Sequence, residues 1–309
     1  MLRSYVNGYT SGSINPQPNW RILRETPSTA NIDSDGGLGI IVTPKAMEIA
    51  IEKAAASGMG VVTIRNSGHL GMASYHAMMA LEHDMIGMCM TACPPLVVPT
   101  YGAEPRMGTN PIALAAPADG EPPFVFDAAM CTVAANKIKL AQRVGAQLMP
   151  GWVTNPDGSP AMDAIDPPET DSMRDSDMCL LPLGSTRELG SHKGYGLTAI
   201  VEILGGIMSG GGITGLSGSR GVFGHFVAAY NVEAFMDTAE FKSTMDEWLR
   251  RLASTKPAPG HDRVVYPGLP EYEEQEDRLS RGIPLHREVV DWFRSICEEL
   301  EIPFELLRA

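Results

Sequence analysis

The feature that most constrains the fold is a regular succession of predicted helices and strands in the first third of the chain. Thr43 followed by Pro44 is typical of a helix start, and the β-branched residues after Gly58 are typical of a buried strand. We predict helices over residues 43–57 and 73–82 and strands over residues 61–64 and 86–91. Helices that alternate with strands in this way indicate an α/β fold.

A polar, glycine-containing loop follows the first of these strands and presents His69. Gly68 and Gly71 flank the histidine, and glycine lets backbone approach a ligand closely. A single histidine is often a buried residue that the backbone satisfies, and that alternative stays open here. Because imidazole exchanges protons near neutral pH, His69 is a candidate acid/base for chemistry on a carbonyl or alcohol group.

A second glycine-containing stretch places His192 and Lys193 at the start of a helix predicted over residues 193–208. Amide donors and the partial positive charge of a helix N-terminus suit phosphate or carboxylate, and lysine adds a full charge. Asp127 ends a short apolar strand, where it could contact a ribose hydroxyl or cap the next segment. Thr109 and Asn110 precede a proline and fit either a site or an ordinary turn.

Composition excludes several classes of partner. The chain has 309 residues with 24 basic and 37 acidic side chains, and its formal charge of −13 disfavours binding to nucleic acid or to an anionic membrane. Its apolar stretches are too short to span a bilayer, and residues 1–5 lack the apolar core of a secretory signal. Five cysteines without a C-x-x-C pair predict free, mostly buried thiols and a cytoplasmic location.

Two further motifs match the letters or residue types of ligand sites, but their context gives those sites weak support. Gly210, Gly212 and Gly215 match the letters of the dinucleotide fingerprint, yet they follow a predicted helix instead of a strand, so we interpret them as a turn. His69, His76 and His83 could form a metal site, which would favour a hydrolase. No H-E-x-x-H motif accompanies them, so we predict no metal.

The second half of the chain contains a long irregular segment before its last elements. Prolines and acids in residues 149–187 predict a surface excursion without packed structure. We predict a strand over residues 221–230, a helix over 234–252, and a charged helical tail after a linker at 256–260.

Taken in order along the chain, these blocks resemble the malate/L-lactate dehydrogenase family, which is distinct from the Rossmann lactate dehydrogenases. The shared blocks are Asn66 to Gly71, Met107 to Pro111, Phe124 to Asp127, Ser191 to Gly196, and Pro259 to Gly268. The resemblance implies reversible hydride transfer between NAD or NADP and a small 2-hydroxy acid or 2-keto acid, such as malate, lactate, ureidoglycolate or sulfolactate. It also implies a homodimer.

The resemblance further implies the architecture. It predicts an α/β fold in which a non-Rossmann cofactor lobe with a mixed or mainly antiparallel sheet is joined to a helical lobe built from both chain ends. We assign residues 1–70 and 243–309 to the helical, substrate-binding lobe and residues 71–242 to the NAD(P)-binding lobe.

The resemblance assigns roles to individual residues. His69 is the expected acid/base, and Arg3, Thr109 and Asn110 are expected to bind substrate, with the Arg3 guanidinium gripping a carboxylate. The expected cofactor contacts are Cys93, Asp127, Ala128, Ala129, His192, Lys193, Gly260, His261 and Asp262. At position 93 the family commonly carries a hydroxyl residue, so Cys93 alters one contact.

The beginning of the chain is the largest departure. Family chains typically begin with a helical segment ending in Ser, His, Gly, two residues and Arg, and Arg3 here occupies the position of that Arg. The resemblance therefore implies a form without the Ser, His and Gly. Two alternatives remain beside the active dehydrogenase: a cofactor-binding but catalytically silent protein, and a reductase of cyclic imines.

Overall fold

The computed structural model describes residues 2–170, 172–213 and 223–305. Within these ranges the α-helices are α1 Leu2–Thr10, α2 Gly39–Ser57, α3 Ala73–Met78, α4 Ala135–Val144, α5 Ser191–Val201, α6 Thr238–Ala253, α7 Leu269–Arg281 and α8 Arg287–Glu299. The strands are β1 Arg21–Glu25, β2 Thr29–Asp33, β3 Met59–Ser67, β4 Met85–Ala92, β5 Ile112–Ala116, β6 Phe124–Ala128 and β7 Phe223–Asn231. The rest is irregular apart from 3₁₀ turns and a π-helical turn, Glu202–Ile207, that continues α5.

In the described part of the chain, seven strands form one sheet in the order β1-β2-β3-β7-β4-β5-β6. β2 and β3 run parallel, and all the other neighbouring pairs are antiparallel. The prediction of an α/β fold with a mainly antiparallel, non-Rossmann sheet is therefore confirmed. Since β3 pairs with β7, the sheet joins segments on both sides of residue 70, and the division into two lobes stays a prediction.

The predicted strand and helix around His69 are confirmed with shifted ends. The helix expected from Thr43 starts instead at Gly39, so Pro44 lies inside α2. Pro44 is the sixth residue of α2, beyond the first turn, so the helix continues past it without the hydrogen bond that an N–H at this position would donate to the Ile40 carbonyl. Gly58 ends α2 in the left-handed conformation, with φ of 89°.

Two apolar layers cover the sheet. On one face α2 and α3 pack over Ile32, Ile64 and Val227 and their neighbours in the main core. On the other face, Val201 of α5 packs on Met90 and Phe226. The sheet is thus buried on both sides at its centre, where β3 and β4 lead into the loops that carry His69 and Cys93.

The segment 149–187 differs from its prediction. Its described residues form no long helix or strand, as expected, but Val153 and Leu180 join a second core with Leu148 and with Ile138 of α4. Isolated bridges such as Val153 to Leu180 hold it. The apolar residues of this segment occur singly among prolines and acids, so they form no helical or strand periodicity from which the core could be predicted.

Other predictions have mixed outcomes. Strands β1, β2 and β5 were not predicted, because Arg21–Glu25 is mostly exposed and Ile112–Ala116 is rich in alanine, which favours helix. Gly210 and Gly212 adopt positive φ in a turn after the π-helical segment, while Gly215 lies outside the described residues. No helix in the described ranges is long and apolar enough to cross a membrane.

Candidate active site

A cavity of about 950 Å³ opens beside the His69 loop. Its wall combines the start of α1, the turn at Asp35 and Gly36, the loop 66–69, and one side of α4. Among the predicted site residues, His69 lines this cavity, and the others lie outside its wall. The cavity is polar on several sides, which suits a small charged substrate.

The contacts of His69 define its chemical state. Its Nδ1 accepts a hydrogen bond from the Gly71 N–H at 3.0 Å and lies 2.7 Å from the Tyr5 hydroxyl. Because an amide N–H can only donate, Nδ1 carries no proton in neutral His69, and the proton resides on Nε2. Burial lowers the pKa of His69, so the neutral form dominates near pH 7.

A buried carboxylate supports the start of this loop. Asp33 at the end of β2 accepts hydrogen bonds from the Arg65 guanidinium and from the Asn66 side chain. Burial alone would raise the pKa of Asp33, but bonds from the Asp35 N–H, Asn66 and Arg65 lower it overall. This network holds Asn66 at a positive φ of 53°, where β3 bends into the loop.

Cys93, Thr109 and Asn110 lie close together just after the end of β4. The buried Asn110 side chain accepts from the Cys93 N–H at 2.9 Å and donates to Thr198 of α5 and to Glu202. Its amide hydrogens are therefore used within the protein. Burial raises the pKa of the Cys93 thiol to about 12, so it is an inert, uncharged group.

The residues after β6 join the same cluster. The Met130 N–H donates to the Thr109 carbonyl at 2.7 Å, and the Thr198 hydroxyl donates to the Met130 carbonyl. Half-buried Ala128 and Ala129 lie just before this contact. Asp127 accepts a hydrogen bond from the Ser74 N–H at 2.7 Å and so caps α3, an earlier helix, instead of the segment that follows it.

His192 and Lys193 lie in the first turn of α5, where the sequence placed them. Both are exposed, and the Arg187 guanidinium donates to Nδ1 of His192 at 3.0 Å. Gly190 precedes the helix at φ of 99° without a side-chain cap. The Ser191 N–H donates to the Thr186 carbonyl and the Lys193 N–H donates to the Gly190 carbonyl, so these two amides of the first turn are used within the protein. What the start of α5 offers an anion is therefore the exposed side chain of Lys193.

Two other predicted groups also lie outside the cavity wall. Gly260, His261 and Asp262 form an exposed turn, and the chain after them reaches β6, where Pro267 accepts from the Val125 N–H. Arg3 of α1 forms an ion pair with Glu299 of α8 instead of lining the cavity.

The structure adds residues that sequence reasoning missed. Tyr5, Lys139 and Arg174 line the cavity with His69. Arg174 had a signal, because it is the one cation in the acidic stretch 163–177. His83 is exposed and His76 is buried, and the described residues contain no cluster of three His, Cys, Asp or Glu arranged to hold a metal ion.

Comparison with known proteins agrees with this architecture. The family model for malate/L-lactate dehydrogenase matches residues 1–294. The chain belongs to the malate/L-lactate dehydrogenase family. The resemblance drawn from the sequence blocks is thus confirmed.

Individual members of the malate/L-lactate dehydrogenase family align over nearly the whole chain. Malate dehydrogenase of Pyrococcus abyssi is 40% identical over 97% of this chain and 82% of its own length. L-sulfolactate dehydrogenase of Methanocaldococcus jannaschii is 35% identical over 97% of this chain and 84% of its own. The crystal structure of malate dehydrogenase from Entamoeba histolytica superimposes with a TM-score of 0.91 at 33% identity, covering 97% of this chain and 84% of that one. These relatives support an oxidoreductase of 2-hydroxy acids.

Proposed function

We propose that this protein is an NAD(P)-dependent dehydrogenase that interconverts a small 2-hydroxy acid and its 2-keto acid. The observation that carries the proposal is His69, a half-buried imidazole in the wall of a 950 Å³ cavity with Nδ1 held by Tyr5 and Gly71. Membership of the family supports the reaction class.

The residues outside the cavity fit a nicotinamide dinucleotide. The exposed ammonium group of Lys193 at the start of α5 suits its phosphates, and the small side chains of Ala128 and Ala129 at the end of β6 permit close approach of a ribose. We propose that the dinucleotide is also contacted by Cys93, Asp127, His192 and the turn Gly260 to Asp262. When bound, the nicotinamide supplies or takes the hydride at C2 of the substrate.

His69 exchanges the proton that accompanies this hydride. In the direction of keto acid reduction, the protonated imidazole donates from Nε2 to the C2 oxygen, and Tyr5 accepts from Nδ1. A hydroxyl can donate to neutral imidazole and accept from the cation, so Tyr5 suits both states. Thr109 and Asn110, which lie outside the cavity wall, would act on the substrate site through the neighbouring loop at Cys93. Arg3 would anchor the C1 carboxylate after releasing its ion-pair partner Glu299.

The cations in the cavity support a substrate with a second acidic group. Lys139 and Arg174 line the same wall as His69 in a chain whose net charge is −13. Two of the relatives above are named for malate and sulfolactate, which both carry two acidic groups. We propose a doubly anionic 2-hydroxy acid of the malate or sulfolactate type.

We also propose a homodimer in the cytoplasm. One face of α5 and the following π-helical turn exposes large apolar side chains at helical spacing. These are Leu197, Ile200, Ile203 and Ile207, between 37% and 54% exposed. A continuous apolar patch of this kind is typical of a contact between copies of a chain.

An absorbance assay tests the reaction. Purified protein with NADH or NADPH should consume the reduced cofactor when given oxaloacetate, and His69→Ala should lower turnover by ~10²-fold or more. His83→Ala is the matched control, since His83 is exposed on the turn after α3. Cofactor binding by calorimetry without turnover on any keto acid or cyclic imine would favour the silent alternative. Turnover on cyclic imines alone would favour the imine reductase.

A second assay tests the substrate class. Lys139→Met and Arg174→Met should each raise the KM for oxaloacetate about 10-fold or more while leaving the KM for pyruvate, which has one carboxylate, nearly unchanged. Lys137→Met, on the same helix and outside the cavity wall, should change neither. Equal effects on both substrates would contradict a site for a second acidic group.

A further inference from the structure

The two peptide carbonyls that flank His69 are each held by a different buried histidine. The Gly68 carbonyl lies 3.1 Å from Nε2 of His225, and the Leu70 carbonyl lies 2.9 Å from Nε2 of His76. Both imidazoles are at most 1% exposed. The backbone immediately before and after the candidate acid/base is thus fixed from two sides.

The partners of these histidines fix their tautomers. A carbonyl can only accept, so Nε2 carries the proton in both His225 and His76. Nδ1 of His225 faces the Thr91 hydroxyl, and Thr91 is its directly opposite residue on β4. Burial lowers the pKa of both histidines, so both donate as neutral groups near pH 7.

Stability alone gives little reason for histidine at position 76. Its Nδ1 is buried and has no hydrogen-bond partner within the described ranges, which costs free energy that an apolar side chain would not. Among the described residues, the one hydrogen bond that the His76 ring makes goes to the Leu70 carbonyl, beside His69. The contribution of the His76 ring is therefore to fix the backbone of the loop that carries His69.

The packing of α2 leaves room for the hydrogen bond between His225 and the Gly68 carbonyl. A Cβ on Gly39 would lie 2.7 Å from the Gly68 carbonyl oxygen and 2.8 Å from Nε2 of His225. Glycine at the start of α2 thus lets the helix approach the hydrogen bond that holds the loop.

We propose that His225 and His76 are positioning residues that hold the backbone at 68 and 70 so that the His69 imidazole stays aligned for proton transfer. Neither touches the substrate. The proposal rests on the proposed function, in which His69 exchanges the proton. Misplacement of a reacting group by about 1 Å can lower a rate by ~10²-fold, so a small shift of this loop is enough to matter.

Substitutions that remove or keep the donor separate this role from simple packing. Leucine at either position removes the N–H, whereas glutamine offers an amide N–H at a similar distance from the backbone. His225→Leu and His76→Leu should each lower kcat about 10-fold or more, with KM for the cofactor changed less than about 3-fold. His225→Gln and His76→Gln should recover most of the lost kcat.

A core variant controls for lost stability. Val227→Ala truncates a fully buried side chain two residues along β7, on the same face as His225. It should lower the melting temperature without a comparable fall in kcat. The pH profile of kcat/KM, which reports the titration of His69, should shift in both leucine variants and stay in place in Val227→Ala.

The outcomes are distinguishable. If His69→Ala abolishes turnover but the leucine variants behave like Val227→Ala, with kcat and pH profile unchanged, the positioning role is wrong and the proposed function stands. Glutamine variants as slow as the leucine variants would also overturn it. If His69→Ala leaves turnover unchanged, the proposed function itself fails.

Discussion

At the scale of single residues, the chemistry depends on the protonation of one imidazole. Gly71 donates to Nδ1 of His69 and so satisfies only the neutral ring, whereas the Tyr5 hydroxyl can serve the neutral and the protonated ring alike. The balance between these two contacts governs the pH range in which His69 can release a proton.

Tyr5→Phe tests this balance. Without the hydroxyl, protonated His69 loses its acceptor at Nδ1, so the pKa of His69 should fall further. Keto acid reduction needs the protonated ring, so as the pH is raised its rate should begin to fall at a lower pH than in the unchanged protein. We also expect kcat to fall ~10-fold with KM for the keto acid little changed. Tyr9→Phe, one turn later on α1, is the control. Identical pH profiles for Tyr5→Phe and the unchanged protein would refute this role.

His225 makes a prediction about acid stability. Burial lowers its pKa to about 3 in the folded protein, while the unfolded chain takes up its proton near pH 6.5. Its contribution to stability is therefore complete above about pH 6.5 and is lost as pH falls toward 3. Glutamine cannot titrate, so the stability advantage of the unchanged protein over His225→Gln should shrink by about 2 kcal/mol between pH 6.5 and 5. Urea denaturation measures it, and a constant difference would show that His225 is not buried as a neutral group.

The sequence could identify His69 but not its partners. A histidine between two glycines after an apolar strand has a local signal, and Lys193 at a helix start has another. Tyr5 is 64 residues from His69 and His225 is 157 residues from Gly68, so their contacts arise from tertiary packing. The cations Lys139 and Arg174 likewise meet at the cavity through packing of α4 against the second core.

At the scale of elements, close packing of α2 on the sheet depends on glycine. A Cβ on Gly60 of β3 would lie 2.0 Å from the Ala50 carbonyl oxygen in α2. Because the clashing atom belongs to the backbone, the clash could be relieved only by moving the backbone. β3 carries the His69 loop at its end. The position of α2 against β3 therefore also sets the position of the site.

Gly60→Ala should lower the free energy of unfolding by about 1–3 kcal/mol, because the added methyl group overpacks the contact between α2 and β3. Gly196→Ala is the matched control: Gly196 lies in α5 with open space around its missing Cβ, so alanine should stabilise the helix by about 0.5–1 kcal/mol. Chemical denaturation compares the two. Equal effects of the same sign would contradict the described packing of α2 on β3.

Elements with strong local patterns could be predicted, and those defined by pairing could not. α2, β3 and β4 have periodic or β-branched sequences and were found within a few residues of their ends. β1 and β2 are short, and β1 is nearly all exposed, so their strand state comes from hydrogen bonds to the rest of the sheet. The π-helical turn after α5 has no periodic signal at all.

At the scale of the whole molecule, the proposed second copy would cover the apolar face of α5. Ile203→Glu should therefore give a monomer of about half the mass by light scattering, since an interface does not tolerate a buried, unpaired charge. Leu279→Glu, on the exposed face of α7, is the control and should leave the mass unchanged. A monomeric unchanged protein, or a dimer that survives Ile203→Glu, would contradict this interface.

The central claim is that His69 exchanges a proton while hydride moves between a nicotinamide and C2 of a 2-hydroxy acid. The most direct measurement uses nicotinamide cofactor deuterated at the transferred position and mass spectrometry of the hydroxy acid formed from oxaloacetate. We predict one deuterium at C2 of the product from the unchanged protein, and product formation at least ~10²-fold slower with His69→Ala. Product without deuterium, or equal rates for the two proteins, would contradict the claim.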